Sequence, residues 1–482
     1  MSGFRLIDLA KPFVPLLPEI EKPYSALSFD DKVVYTIAAG IIYILAQLPV
    51  YGTSSITNDP IYWIRPIFGA EKGTLLEFGA FPIISSGLIF QLLASLRVIK
   101  VNFQSRTDRE LFQTSQKIFS IFQYFLLTNL FLLTGYFGYN LSFYQIIAIN
   151  LQLVGAGFVF TLISEIIDKG YGFGSGALTF TTVNIAANFV GDFVGISSVH
   201  TTRGWERQGA LINLISNIRT KPFTNAIVDS FTRSYLPNLT QFYAVAATIL
   251  GAVYLQNFRI DLPIRSNKVR SVSNVFPIKL LYTGALPLLF SYVVLFYINI
   301  VGYAIVNGIF KNDPTHIAVK ILGHYVTGGF SGNFVVENFS LLYLFSPSSG
   351  LFASLLSPIK TIVFFGTIAL SSALFANTWS VNSGSGPKDI AAQFKDQGVS
   401  ISGRRDVSVS KELARVIPVA AVSGGLALAV LAEAGEVFGA NGKAAAAVVA
   451  VGSAFSFLEE IASDFQQSGG SQNFGQFFGG AQ

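Results

Sequence analysis

Few side chains in this sequence could do chemistry, and their spacing excludes most kinds of it. Cysteine is absent, so a thiol nucleophile, a disulfide and a cysteine-based metal site are all impossible. The three histidines, His200, His316 and His324, are scattered, and no H-E-x-x-H pair exists. Gly170, Gly172, Gly174 and Gly176 have the glycine content of a phosphate cradle but not the G-x-x-x-x-G-K spacing. A tight turn with close backbone approach is the better use of them. Glu165, Asp168, Asp192, Glu433, Glu436, Glu459 and Glu460 could couple ions or protons if they lay in mid-membrane. Most fall near the ends of apolar runs, and Asp192, the most central, reads as helix-end or packing polarity. The remaining exposed chemistry is basic: Arg265, Lys268 and Arg270 in one polar stretch, Arg404 and Arg405 in another. Guanidinium groups suit bidentate contact with phosphate, although membrane topology alone would account for the same charges. No catalytic group, metal ligand set or cofactor site is expected.

The elements that must position these residues are membrane helices. Of 482 residues, 51% are hydrophobic and only 12% charged, where a soluble domain carries about 25% charged. Apolar runs of membrane-spanning length occur at 33–52, 80–98, 117–137, 144–167, 177–197, 239–257, 283–306, 354–376, 416–434 and 444–462. Their length without period-two alternation argues for helices, which satisfy their own backbone in lipid. Residues 1–31 carry Arg5, Asp8, Lys11, Glu19, Glu21, Lys22, Asp30 and Asp31 ahead of any apolar run, unlike a cleavable signal peptide. The first span therefore serves as the targeting signal.

Lysine and arginine in the loops set the orientation. Loops 98–117, 258–282 and 377–415 are rich in them, 138–143 has none and 312–350 has only Lys320. Both termini are expected in the cytosol. Loop 198–238, with Arg203, Arg207, Arg219, Lys221 and Arg233, departs from this pattern. It also divides the spans into five and five, as a duplicated membrane fold would be divided. The expected organisation is a cytosolic segment 1–31, a first half 32–197, a lumenal hinge loop 198–238, a second half 239–465 and an uncharged Gly/Gln/Ser-rich tail 466–482, read as disordered. In the first segment, Phe4, Leu6 and Ile7 share one side of a possible short helix before Pro12, suited to the membrane interface.

Between the first two spans, residues 59–70 include Pro60, Trp63, Arg65 and Pro66. The stretch is too short and polar to cross a bilayer. It either re-enters a protein-lined cavity or forms an ordinary loop at the surface.

Several blocks carry a resemblance. They are DPIYWIRPIFGAEKGTLLEFGAFPIISSGLIFQLLASL at 59–96, KGYGFGSGALTFTTVNIA at 169–186, YLQNFRIDLPIRSNKVR at 254–270, FPIKLLYT at 276–283, SPIKTIVFFGT at 357–367 and DIAAQFKDQGVSISGRRDVSVSKEL at 389–413. Collinear and present in both halves, they resemble the SecY family, known in eukaryotes as the Sec-sixty-one α subunit. The likeness weakens in the Ala-rich last two spans and the tail.

The resemblance implies an all-α membrane protein of ten transmembrane helices in two pseudo-symmetric five-helix halves around a central pore, with a re-entrant plug helix. It makes 59–70 the plug, with Asp59, Pro60, Trp63, Ile64 and Arg65. It places a pore ring at Ala80, Ile84, Ala177, Thr181, Leu289 and Val449. Ala80 and Ile84 share a helix face by spacing, as do Ala177 and Thr181. It places a lateral gate between spans two and three and spans seven and eight. Ser85, Ser86, Thr128, Asn129 and Asn299 are the polar candidates there, with Leu127 and Tyr297 where the family would have Gln and Asn. It assigns Arg265, Lys268, Arg270, Arg404 and Arg405 to a ribosome and its RNA. The implied function is a channel of the endoplasmic reticulum membrane that takes up signal sequences and nascent polypeptides, releases membrane segments into lipid, and is braced by small single-span γ and β subunits. A polytopic secondary transporter is the alternative.

Overall fold

The computed structural model describes residues 5–467 except 16, 26, 55–58, 104, 202–203, 234–235, 267–272, 328–332, 338, 349, 383–385, 398 and 402–405. The expected tail therefore lies almost wholly outside the described residues. Ten helices answer the ten apolar runs: α1 (Phe29–Leu45), α2 (Phe81–Ser95), α3 (Arg106–Leu133), α4 (Phe143–Ile166), α5 (Gly176–Val194), α6 (Leu239–Gln256), α7 (Leu286–Tyr303), α8 (Pro358–Asn382), α9 (Asp406–Val437) and α10 (Lys443–Gln467). Eight are long and apolar enough to cross a membrane. The other two, α1 with 17 residues and α2 with 15, are shorter. Local chemistry sets several boundaries. Ser28 caps α1 by accepting the Asp31 N–H, and Ser142 and Gln145 form a capping box on α4. Pro82 occupies the first turn of α2, where a missing N–H is harmless. Helices α3 and α9 start about three turns before their apolar runs, because extending an existing helix through polar residues gains a hydrogen bond per residue.

Helices α1–α5 and α6–α10 form two five-helix halves. Within them α3 packs between α2 and α4, and α8 between α7 and α9. Helix α10 lies against both α6 and α5 and so joins the halves. Ion pairs fasten it at both ends, Lys443 to Asp192 at 2.7 Å and Asp464 to Lys32 at 2.9 Å. The N–H of Gly174 adds a 2.7 Å bond to Glu460.

The membrane-spanning architecture is all-helical, and the loops add short strands. Strands β1 (Ser198–Thr201) and β2 (Gly204–Arg207) pair, as do β5 (His324–Thr327) and β6 (Phe334–Glu337). Strands β3 (Arg259–Ser266), β4 (Ser273–Lys279) and β7 (Val399–Ile401) form one sheet in the order β4-β3-β7. Loop 198–238 is folded rather than open, with short helices Ala210–Thr220 and Phe223–Thr232 after its hairpin. This folding explains its cations. Arg233 is buried and donates to the carbonyls of Arg207, Gln208 and Pro237, while Lys221 pairs with Asp229. Burial pushes the Arg233 guanidinium down to about 10.

The first segment does contain a short helix, Leu6–Phe13. Its Ile7 is fully buried with Phe90, Ile99 and Phe112, and Arg5 bonds Asp108 at 2.9 Å. It is thus docked on the ends of α2 and α3, with Leu9 and Phe13 exposed on its outer side.

Candidate functional site

Residues 59–70 fold inward instead of looping outside. A turn over Pro60–Ile64 leads into one 3-10 turn, Arg65–Phe68, ended by Gly69 at φ 61°, a left-handed conformation that glycine adopts without strain. The expected plug helix is therefore a single 3-10 turn, because Pro60 and Pro66 withhold backbone donors. Asp59, Pro60, Trp63, Ile64 and Arg65 are all buried or nearly so.

Charge anchors this segment to the first half. The Arg65 guanidinium, 5% exposed, pairs with Asp59 and with Glu77 at 2.5 Å, and donates to the Glu77 carbonyl at 2.5 Å and the Tyr136 hydroxyl at 3.1 Å. Asp59 and Glu77 thus give a buried cation two carboxylates, the condition for burying it at all. Burial lifts the Glu77 carboxyl above its ordinary range, against the pull of Arg65. Tyr43 and Ala80 add hydrogen bonds to the carbonyls of Gly69 and Phe68. Aromatic packing anchors the same segment to the second half. The Trp63 ring meets Tyr292 of α7 edge-on at 6.3 Å and Phe364 of α8 at 5.5 Å. Gly442, at φ 84°, lets the first turn of α10 pass so close that a Cβ would strike the Trp63 carbonyl. Glu436 holds that turn by accepting the Gly442 N–H at 2.7 Å.

All six ring candidates are buried, none more than 8% exposed. Ala80, Ile84, Ala177, Leu289 and Val449 belong to the same apolar core as Trp63, Ile64 and Ile67. The backbone of Thr181 abuts Gly69 of the plug segment, while its hydroxyl turns back to Leu178. Ile84, Ala177 and Leu289 also line the inner end of a cavity of about 500 Å³, together with Leu286 and Trp379 of the second half. Ile84, Ala177 and Leu289 thus border both the core that holds 59–70 and this cavity.

At the seam between α2–α3 and α7–α8 the direct hydrogen bonds of the five polar candidates stay within each half, while Ser85 also lies close enough to the Tyr297 hydroxyl of α7 to interact with it. Ser85 donates to Gln123 of α3, within its own half. Ser86 and Thr128 bond carbonyls of their own helices. Asn129 turns to Asn150 of α4 at 3.1 Å, away from the seam, and Asn299 donates to the Phe345 carbonyl in its own half. Aromatic rings cross instead. Phe81 of α2 stacks on Phe296 of α7 at 3.7 Å and meets Tyr297 at 5.5 Å. Leu127 is buried in the apolar core. The sequence marked Tyr297 as unusual. Phe81 and Phe296 carried no mark, since an aromatic residue in a membrane helix faces lipid or protein equally well.

The basic loops meet in one sheet. Arg265 on β3 is exposed and pairs in register with Ser400 of β7. The sheet rests on Ile390, Phe394, Val409, Leu413 and Ile417, with Phe276 against Phe394 at 5.1 Å. Lys268, Arg270, Arg404 and Arg405 lie outside the described residues.

The acids that could have served ion coupling have structural partners in most cases. Asp192 pairs with Lys443, Glu165 with Lys117 and Lys169, Glu459 with Lys279, and Asp168 caps α5 through the Gly176 N–H. The exception is Glu433, buried near Tyr292 with one carboxylate oxygen unbonded. The glycine-rich stretch forms the turn from α4 to α5, with Gly170 at φ 98° and Gly174 at φ 70°. Among the described residues no cluster of His, Asp or Glu could hold a metal ion.

Comparison with known proteins gives two family matches, SecY over residues 74–458 and the plug domain of Sec61p over residues 41–73. A Saccharomyces cerevisiae protein, the Sec sixty-one protein homolog, is 50% identical, with 99% of each chain covered. The protein transport protein SEC61 subunit alpha of Yarrowia lipolytica is 36% identical over 96% of this chain and 98% of its own. Among solved structures, the idle yeast Ssh1 complex bound to the yeast 80S ribosome matches with TM-score 0.79 and 48% identity, covering 98% of both chains. A protein-conducting channel at 22% identity shares the fold at TM-score 0.78, covering 96% of this chain and 98% of its own.

Proposed function

This chain belongs to the SecY family, and from that premise we propose how its residues work in a channel. It is a multi-pass protein of the endoplasmic reticulum membrane and a subunit of a protein-conducting channel, not an enzyme. We assign it the pore-forming α role, with both termini cytosolic and single-span γ and β subunits bracing the halves. It docks ribosomes and passes nascent chains co-translationally, following delivery by the signal recognition particle.

The strongest support is the double anchoring of 59–70. Arg65 is tied to the first half and Trp63 to the second, against the buried ring candidates. In this reading the idle pore is closed by Ala80, Ile84, Ala177, Thr181, Leu289 and Val449 with the plug beneath them. A signal helix enters the seam by displacing the Phe81–Phe296 contact. It then partitions outward because transfer of about 20 apolar residues to lipid is favourable. Separating the halves draws Trp63 from its slot and frees the plug, and polar segments follow through the pore. The ring limits ion passage by close contact and dewetting. The β4-β3-β7 sheet carries Arg265 towards ribosomal RNA, with Lys268, Arg270, Arg404 and Arg405 assigned to the same contact.

The test is reconstitution of the full chain with γ and β subunits in liposomes, supplied with ribosomes bearing a secretory reporter. Protease-protected reporter is expected. Reporter that stays fully digestible, with ribosomes bound or not, would reject the assignment.

A further inference from the structure

Residues 18–23 run without helix or strand beside the cavity bordering the ring candidates. Three side chains from distant parts of the sequence hold this stretch by its main chain. Lys117 of α3 donates to the Pro18 carbonyl at 2.6 Å, Lys169 to the Ile20 carbonyl at 2.5 Å, and the Tyr171 hydroxyl to the Glu21 carbonyl at 3.1 Å. One side-chain contact joins them, Lys169 to Glu19 at 3.1 Å. Glu165 pairs with both lysines, at 2.6 and 2.9 Å, and keeps the two ammonium groups side by side. Just upstream, Val14 and Leu17 line the cavity whose inner wall includes Ile84, Ala177 and Leu289.

We propose that Lys117, Lys169 and Tyr171 form a docking track for the main chain of an incoming extended polypeptide, occupied in the idle channel by the protein's own residues 18–21. The proposal rests on the channel reading above. Its chemistry suits that reading. Every residue of any polypeptide offers a carbonyl acceptor, so donors spaced along an extended chain bind it without reading its sequence. An ammonium group supplies three donors and can re-aim as the chain slides. The apolar flank, where Val14 and Leu17 now sit, is open to a signal sequence's apolar side chains. An entering chain gains the track only by expelling the protein's own segment, so occupation by self delays entry until a polypeptide is delivered at high local concentration.

Photo-cross-linking tests this on the full chain, assembled with its partner subunits in membranes. Tyr171 is replaced with p-benzoylphenylalanine. The idle channel should give an internal adduct within 18–23, identified by peptide mass spectrometry. On adding ribosomes that carry a signal-bearing nascent chain, the internal adduct should fall about tenfold, as mutually exclusive occupancy requires, and an adduct to the nascent chain should appear. In a Lys117→Gln, Lys169→Gln background both adducts should weaken together. An internal adduct that persists in engaged channels overturns the proposal. So does a nascent-chain adduct undiminished by the double substitution, which would make the lysines a latch for the N-terminal segment and nothing more. Translocation by the unsubstituted channel is followed in parallel. If no reporter crosses, the channel reading itself fails, and the track with it.

Discussion

Arg65 and Trp63 are two positions apart and hold opposite halves of the molecule by different physics. The guanidinium has two buried carboxylates for partners, whereas the indole has only rings and a glycine turn. Their removal should therefore differ in kind. Arg65→Met leaves Asp59 and Glu77 buried together without a cation, and breaking such a pair costs about 3–5 kcal/mol. The expected result is a lower thermal midpoint in detergent and a leaky idle channel. Trp63→Ala opens a cavity, also at about 3–5 kcal/mol, but leaves the charges satisfied. It should ease opening while the plug stays tethered to the first half. Single-channel recordings separate the two: sustained leak for Arg65→Met, brief frequent openings for Trp63→Ala. Identical traces from both variants would show that the two anchors act as one. The sequence made this segment conspicuous, since proline, tryptophan and arginine had no reason to stand together between spans. It did not reveal the partners, because which nearby carboxylates turn inward, and that Tyr136, 71 residues away, reaches Arg65, is decided only by the folded chain.

Among the elements, the ten helices were readable because a run of about 20 apolar residues has few other uses. The rotation of each helix was not readable. A serine, threonine or asparagine in a membrane helix can bond its own preceding turn as easily as a neighbour, as Ser86 and Thr128 do. Of the polar gate candidates, Ser85, Asn129 and Asn299 bond within their own half, while Phe81 meets Phe296 and Tyr297 across the seam. The strands of the loops went unread for a related reason, since their alternation is short and interrupted by Pro263 and Pro277. The aromatic contact at the seam has a consequence for clients. Phe81→Ala loses a stacked pair worth about 0.5–1.5 kcal/mol beyond its area, so weaker signals should suffice to open the gate. In a reporter series of graded signal hydrophobicity, the threshold should move down for Phe81→Ala. It should not move for Asn129→Leu, whose lost bond to Asn150 lies between α3 and α4. A threshold shifted by Asn129→Leu and untouched by Phe81→Ala would return the gate to the polar residues.

The sheet that gathers two loops into one platform makes a related prediction for the ribosome. Arg265 is exposed on it, and in the sequence Arg270 comes shortly after the end of β3 and Arg405 shortly after the end of β7. Arg265→Glu, Arg270→Glu and Arg405→Glu together should weaken ribosome binding, with steeper loss as salt rises, because exposed contacts to phosphate are screened. The sheet's apolar seat on Ile390, Phe394 and Leu413 is untouched, so insertion and folding should survive. Cosedimentation with ribosomes across a salt series measures this, and an unchanged affinity would remove these loops from the contact.

For the whole molecule, the proposed opening separates α2–α3 from α7–α8 without pulling the halves apart, and the ties are distributed in a way that suits it. Helix α10 is fastened to the first half at both ends by Lys443–Asp192 and Asp464–Lys32, whereas at the seam Phe81 stacks on Phe296 and meets Tyr297 edge-on. Motion is thereby directed to the seam, with α10 as the hinge side. The plug, anchored to both halves, is the one element that such a motion must dislodge. Its removal tests how the closed state is shared between ring and plug. Ala80, Ala177 and Thr181 would make the proposed ring slim, so the plug should supply much of the seal. Deleting 59–70 should raise the planar-bilayer conductance of the idle channel while still permitting translocation. Ala177 borders the cavity beside Ile84 and Leu289, and a larger side chain there has room to grow inward. Adding Ala177→Leu to the deletion should therefore reduce the leak in part. Because the deletion removes Arg65 and Asp59 and leaves Glu77 buried without its cation, a second form retaining Asp59 and Arg65 and replacing 60–64 with a glycine–serine linker separates loss of the plug from loss of the charge network. Leak in both forms assigns the seal to the plug's apolar residues. A tight channel in both would mean that the ring closes unaided.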